Sequence, residues 1–199
     1  FQLTPSATAV DSIQYDNAFR MCFSDPNQGS ASADYIAENK LATKVAIIYN
    51  SSDTYSSGIY QTFATEAKAK GLDVVAAEAF TADNKTDFSV QIQKFLPIYY
   101  QEASLILAQA NKAGFTPKWF GCDGMDGILD LDGFDASLAE DLMFLTPFTA
   151  NATDEATQKF VADYKEAFGD TPIQFAADAY DCVYVIKAAA EKEDVTPDK

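Results

Sequence analysis

Asp123 follows the apolar run Trp119-Phe120-Gly121 and the thiol Cys122. Tyr55 stands in the polar stretch behind Val45-Ala46-Ile47-Ile48-Tyr49, and Tyr99 and Tyr100 follow Phe95-Leu96-Pro97-Ile98. Phenol rings beside one fixed carboxylate form a wall suited to a small organic ammonium, held by the anion and by the ring faces. The same residues also read as amphipathic edge tyrosines and a turn-forming aspartate. Periodicity alone leaves both readings open.

Other chemistries are closed off by what the chain lacks. It has no histidine, so neither a Ser-His-Asp nor a Cys-His arrangement can be built. Cys22, Cys122 and Cys182 form no CxxC pair, which argues against the usual zinc sites; their odd count argues against a disulfide framework, and they read as small buried residues. No phosphate-binding glycine motif occurs, and no cofactor is implied. The acidic stretch from Asp123 through Asp126, Asp130 and Asp132 to Asp135 lacks calcium-loop spacing, because Gly133 and Phe134 follow Asp132; it reads as a solvated loop. Carboxylates are so plentiful that no acid–base pair stands out. Asn50, Asn84 and Asn151 match the glycosylation pattern, which arises readily by chance. A formal net charge of −16 repels a phosphate backbone, so nucleic acid is not an expected partner.

These side chains need a scaffold, and the pattern predicts one. Short apolar pieces at 2–10 and 19–23 lead to the turn signal Ser24-Asp25-Pro26-Asn27-Gln28-Gly29. Helical periodicity follows over 32–41, 59–70, 87–94, 102–113, 154–168 and 176–193, with Phe160, Val161, Tyr164 and Phe168 inward in the fifth and Tyr180, Val183 and Ile186 in the last. Strands are expected over 44–49, 72–80, 95–100, 118–121 and 142–146, and residues 50–57 read as a loop. Strands and helices alternating at this spacing form an α/β fold with a doubly wound parallel sheet. Ligands of such sheets sit beyond the carboxyl ends of the strands, which is where Tyr55, Tyr99 and Asp123 fall. The junction of Lys94 with Phe95 runs from a helix into a strand without a loop, so a segment is expected to be missing there.

In order and spacing, several segments together resemble the branched-chain amino-acid-binding (leucine–isoleucine–valine) family of type I periplasmic binding proteins. They are Pro5-Ser6-Ala7-Thr8-Ala9, Phe19-Arg20-Met21, the run 45–49 with Tyr55-Ser56-Ser57-Gly58, Asp87-Phe88-Ser89, Trp119-Phe120-Gly121 with Asp123-Gly124, and Phe175 to Asp181. The resemblance implies two α/β lobes that close by hinge motion on a small amino-acid-like solute and deliver it to the permease of an ABC transporter. It implies a monomeric, non-catalytic protein outside the cytoplasm, periplasmic or lipid-anchored at the cell surface. Lobe 1 would comprise residues 1–22 and 148–199, and lobe 2 residues 23–147.

Carried over position by position, Ser6, Ala7 and Thr8 would hold a ligand carboxylate, Tyr55 and Tyr99 would line the lobe 2 side, Asp123 would face the ammonium, and Phe175 would lie near the side-chain pocket. The family commonly has Glu where Asp123 stands. The spacing from Ser89 to Tyr99 is short of the family pattern by about nine residues, or about two and a half helical turns. The chain opens at Phe1 without an initiator Met and closes after Thr196-Pro197-Asp198, so a longer natural protein is expected. A sensory or regulatory module on the same fold and a carboxylate-based enzyme are the alternatives, since fold does not settle function.

Overall fold

A computed structural model describes residues 1–84 and 97–193. In chain order its strands are β1 (Gln2–Thr4), β2 (Ala18–Arg20), β3 (Lys44–Asn50), β4 (Asp73–Phe80), β5 (Phe120–Gly121) and β6 (Met143–Phe144), and its helices are α1 (Asp25–Glu38), α2 (Thr54–Ala69), α3 (Tyr100–Lys112), α4 (Glu155–Phe168) and α5 (Gln174–Glu193). Among the described residues every strand pairs in parallel: β1 with β2, β3 with β4, and β5 with β6. The chain divides into two units, Ser24–Thr146 and the combination of Phe1–Phe23 with Pro147–Lys199.

The first of these holds the larger core. Ile47 and Ile48 are both fully buried, yet as neighbours on β3 they point to opposite faces. Ile47 packs with Ile36 of α1 and Ile59 and Phe63 of α2. Ile48 packs with Phe80, with Ile106 and Leu107 of α3, and with Trp119 and Met125. Helices therefore cover both faces of β3, which explains the unbroken apolar run 45–48. Burying each isoleucine contributes about 1.5–3 kcal/mol.

Helix α1 begins well before residue 32. Ser24, expected to open a turn, caps the helix by accepting from Asn27 N–H, and Pro26 occupies its first turn. Gly29 misled for a different reason: it sits inside the helix where α1 crosses α2. A Cβ there would lie 2.0 Å from Thr62 Oγ1 and 2.6 Å from Ile59 O, so glycine serves close helix packing and not a turn. Helix α2 likewise starts within the expected loop, because Asp53 accepts from Ser56 N–H and caps it. Tyr55 thus lies in a helical first turn.

The strand expected over 95–100 is not found in its described part: residues 97–99 are irregular, and Tyr99 is the N-cap position of α3. The rest of that strand, the helix over 87–94, the Asp87-Phe88-Ser89 motif and the Lys94–Phe95 junction lie outside the described residues. The acidic stretch is only partly solvated. Asp123, Gly124, Met125 and Ile128 are buried, whereas Asp130 and Asp132 are exposed.

In the other unit, Phe160 and Val161 of α4 pack with Ala177 of α5. Asp154 caps α4 by accepting from Thr157 N–H, and Gly169 ends it at a φ of 77°. Contrary to expectation, Phe168, Val183 and Ile186 point outward, with exposures of 71%, 64% and 47%. Phe168 ends α4 and the other two stand near the middle of α5, and no described element covers them. Among the described residues Cys22, Cys122 and Cys182 form no disulfide, and all three are buried.

Candidate functional site

Three of the expected site residues converge beyond the carboxyl ends of β3 and β5. The Tyr55 hydroxyl donates to Asp123 Oδ1 at 2.7 Å and accepts from Gly124 N–H at 2.9 Å. Tyr99 stacks on Tyr55 with ring centroids 4.8 Å apart. Tyr55 and Asp123 are buried, while Tyr99 keeps 41% of its surface exposed and forms the outer layer. The result is a buried carboxyl group with a two-ring stack beside it.

Local sequence explains how these groups meet. Gly124 allows the turn after β5 to approach the rings, since a Cβ there would lie 2.8 Å from Tyr55 Oη and 3.0 Å from Ile98 O. Ser56, fully buried, donates to Pro97 O at 2.5 Å and accepts from Asn50 N–H at 2.8 Å. That hydroxyl ties the end of β3, the start of α2 and the segment carrying Tyr99 together.

The surroundings favour neutral phenols. Burial above all, and then the nearby Cys122 and Asp123, push the Tyr55 phenol well above its usual value of 10.0. Tyr99 is pushed up to about 12, chiefly by burial and then by Asp53, Asp123, Asp25 and Glu102. Burial, reinforced by Asp123, also pushes the Cys122 thiol well above its usual range, so it is a poor nucleophile.

The remaining expected residues belong to the other unit. Ser6, Ala7 and Thr8 form the loop after β1, and Thr8 is buried. Arg20, the chain's single arginine, donates to Thr8 O at 2.6 Å and Ala9 O at 3.0 Å. Ser12 donates to Ala7 O at 3.0 Å and Ala9 O at 2.6 Å. Loop carbonyls are thereby engaged from two sides. Phe175 is half-buried in the first turn of α5.

Sequence reasoning missed Gln28, Ser56, Gly124 and Arg20. Asp25, Gln28 and Ser32 are spaced as one helical face, a signal that was hidden by starting the helix at residue 32. A cavity of ≈390 Å³ opens near the amino-terminal ends of β3 and β5, lined by Leu41, Val45, Val75, Phe115, Trp119 and Phe120 among others. Its walls carry no carboxylate and no tyrosine, so it lacks the side-chain types gathered around Asp123.

The sequence pattern of the family described as "Periplasmic binding protein" matches residues 2–199. The chain is 27% identical over 210 residues to Leu/Ile/Val-binding protein homolog 3 of Brucella melitensis, covering 98% of this chain and 55% of that protein. Its fold superposes on a leucine-binding protein, LivK, of Thermotoga maritima with a TM-score of 0.81 and 28% identity, covering 96% of this chain and 57% of that one. It superposes on the branched-chain amino-acid substrate-binding protein LivJ of Streptococcus pneumoniae, solved with isoleucine, with a TM-score of 0.84 and 28% identity over 94% of this chain and 56% of that one. The chain thus spans about half the length of the relatives it matches. These likenesses bear out the resemblance and the two-lobed, doubly wound α/β fold expected from the sequence, and the chain belongs to the periplasmic binding protein family.

Proposed function

We propose that this chain is part of the extracytoplasmic solute-binding component of an ABC transporter, taking up an amino-acid-like ligand by hinge closure and presenting it to a membrane permease. The observation that carries the reading is the buried Asp123 carboxyl group with Tyr55 and Tyr99 stacked beside it. A zwitterion entering a desolvated site needs an anion for its ammonium and separate donors for its carboxylate. Asp123 supplies the first, with Tyr55 and Tyr99 as its walls; the loop Ser6-Ala7-Thr8 supplies the second, and Phe175 borders the side-chain pocket. In this reading residues 1–22 and 148–199 belong to lobe 1, residues 23–147 form lobe 2, and the protein acts as a monomer without catalysis. The names of the relatives support an amino acid as the ligand class, and their family supports a place outside the cytoplasm, periplasmic or lipid-anchored.

A thermal-shift screen of the full-length protein against the proteinogenic amino acids tests the reading. A ligand at about 100 times its Kd adds about 2.7 kcal/mol of stability. A shift with one class of amino acid, absent with the matching 2-oxo acids, is the expected result. A flat screen on folded protein removes the amino-acid assignment and favours a sensory module with another effector.

A further inference from the structure

The buried face of α1 is polar where a packing face is ordinarily apolar. Asp25, Gln28 and Ser32 are 2%, 0% and 0% exposed, at positions that share one side of the helix. Each of them meets α2 or the segment that carries Asp123. Asp25 packs against Gly58 of α2, whose added Cβ would lie 3.4 Å from the Asp25 Cβ. The Ser32 hydroxyl lies beside the Cys122 thiol and lowers its pKa against the larger effect of burial. Gln28 Oε1 accepts from the backbone N–H of Asp123 at 3.1 Å, a buried bond across the unit.

We propose that Gln28 is a positioning residue for the anion of the binding site: it holds the backbone of Asp123 so that the carboxyl group meets Tyr55. The inference rests on the proposed role of Asp123 in ammonium recognition. The turn after β5 is fastened by two neighbouring amides, Asp123 N–H to Gln28 and Gly124 N–H to Tyr55, and the second of these partners is itself bonded to the Asp123 carboxyl group. Gln28 is the fastening that comes from α1 and its bond is to backbone, so its effect on a ligand passes through Asp123. A carbonyl oxygen is needed there, because an aliphatic side chain of the same length leaves a buried N–H unpaired. The opposite end of the amide makes no hydrogen bond among the described residues, so the acceptor oxygen is the end that acts on the turn.

The test compares Gln28→Met, which keeps length and removes the acceptor, with Gln28→Glu, which keeps the acceptor, in the full-length protein. Ile36→Val on the same helix is the packing control. L-Leucine is the probe for calorimetry, and the amide resonances of Asp123 and Gly124 are followed by NMR. Gln28→Met is expected to weaken L-leucine binding about five- to hundredfold and to move the Asp123 amide resonance. Gln28→Glu keeps that resonance near its original position and recovers most of the affinity. Wild-type affinity in Gln28→Met, or an equal loss in Ile36→Val, overturns the assignment while leaving the ligand class standing. Should Gln28→Met fail to fold, loss of L-leucine binding in a folded Gln28→Glu overturns it. A wild-type protein that does not bind L-leucine removes the reading of Asp123, and this inference with it.

Discussion

The Tyr55 hydroxyl donates to Asp123 Oδ1 at 2.7 Å while accepting from Gly124 N–H at 2.9 Å, so one oxygen atom fastens α2 to both residues of the turn after β5. Tyr55→Phe removes both bonds and leaves two buried polar groups without that partner. A loss of about 1–3 kcal/mol in folding stability is expected. Urea unfolding should show a lower midpoint at an unchanged slope. An unaltered midpoint would mean that water replaces the hydroxyl at no cost.

Asp123→Ala removes the anion itself. If Asp123 takes the proposed role, a ligand ammonium then has no counter-charge, and binding should weaken by about 2–5 kcal/mol, as for other truncated buried charge pairs. Calorimetry on the full-length protein with its selected amino acid measures the loss. Unchanged affinity would detach Asp123 from recognition.

Ser56→Ala strips out the hydroxyl that bonds Pro97 O at 2.5 Å and Asn50 N–H at 2.8 Å. Its site is fully buried, so about 1–3 kcal/mol of stability should be lost. The variant is also expected to release the segment bearing Tyr99, which hydrogen exchange at residues 98–100 would register. Equal exchange in both proteins would assign the positioning of Tyr99 to its stack on Tyr55 instead.

Gly29→Ala should also be damaging, although it adds a single methyl group. The new methyl group meets Thr62 Oγ1 at 2.0 Å and, less forgivingly, the backbone of Ile59 and Phe63 at 2.6 and 2.7 Å. Overpacking of this kind costs about 1–3 kcal/mol, and the shift of α1 should also disturb Gln28. A thermal midpoint equal to that of the wild type would show that the helices separate freely.

Alkaline pH provides a test that needs no substitution. Burial first of all raises both Tyr55 and Tyr99 above the ordinary value of 10.0, Tyr99 to about 12. Between these values the folded protein keeps phenol protons that the unfolded chain has released. Stability is therefore at its full value below pH 10.0 and declines as pH rises toward about 12. An ultraviolet titration should show Tyr99 ionising only toward about 12 and the buried Tyr55 only as the fold gives way.

Much of this was legible beforehand, for identifiable reasons. The run Val45-Ala46-Ile47-Ile48 announced a strand covered on both faces, and the helical periodicity over 59–70 marked most of α2. Tyr55, Tyr99 and Asp123 were legible because each follows an apolar run closely. The start of α1 was not, since Pro26 and Gly29 carry turn meanings locally and helix meanings only when α2 is beside them. Gln28 was hidden for the same reason: its partner is a backbone amide 95 residues away. Phe168, Val183 and Ile186 were misplaced because periodicity marks an apolar stripe without revealing whether anything covers it.

The thin packing between α4 and α5 bears on how the molecule breathes. Phe160, Val161 and Ala177 make up the buried cluster there, while Val183 through Ile186 remain 44–64% exposed. A helix held by so few apolar contacts opens at a lower free energy than one sealed on both sides of a sheet. In this chain the amides of the second half of α5 should exchange with solvent long before those of β3. Within this chain the order of opening would thus run, among the described residues, from the region of Val183 to the last protected amides at Ile47 and Ile48.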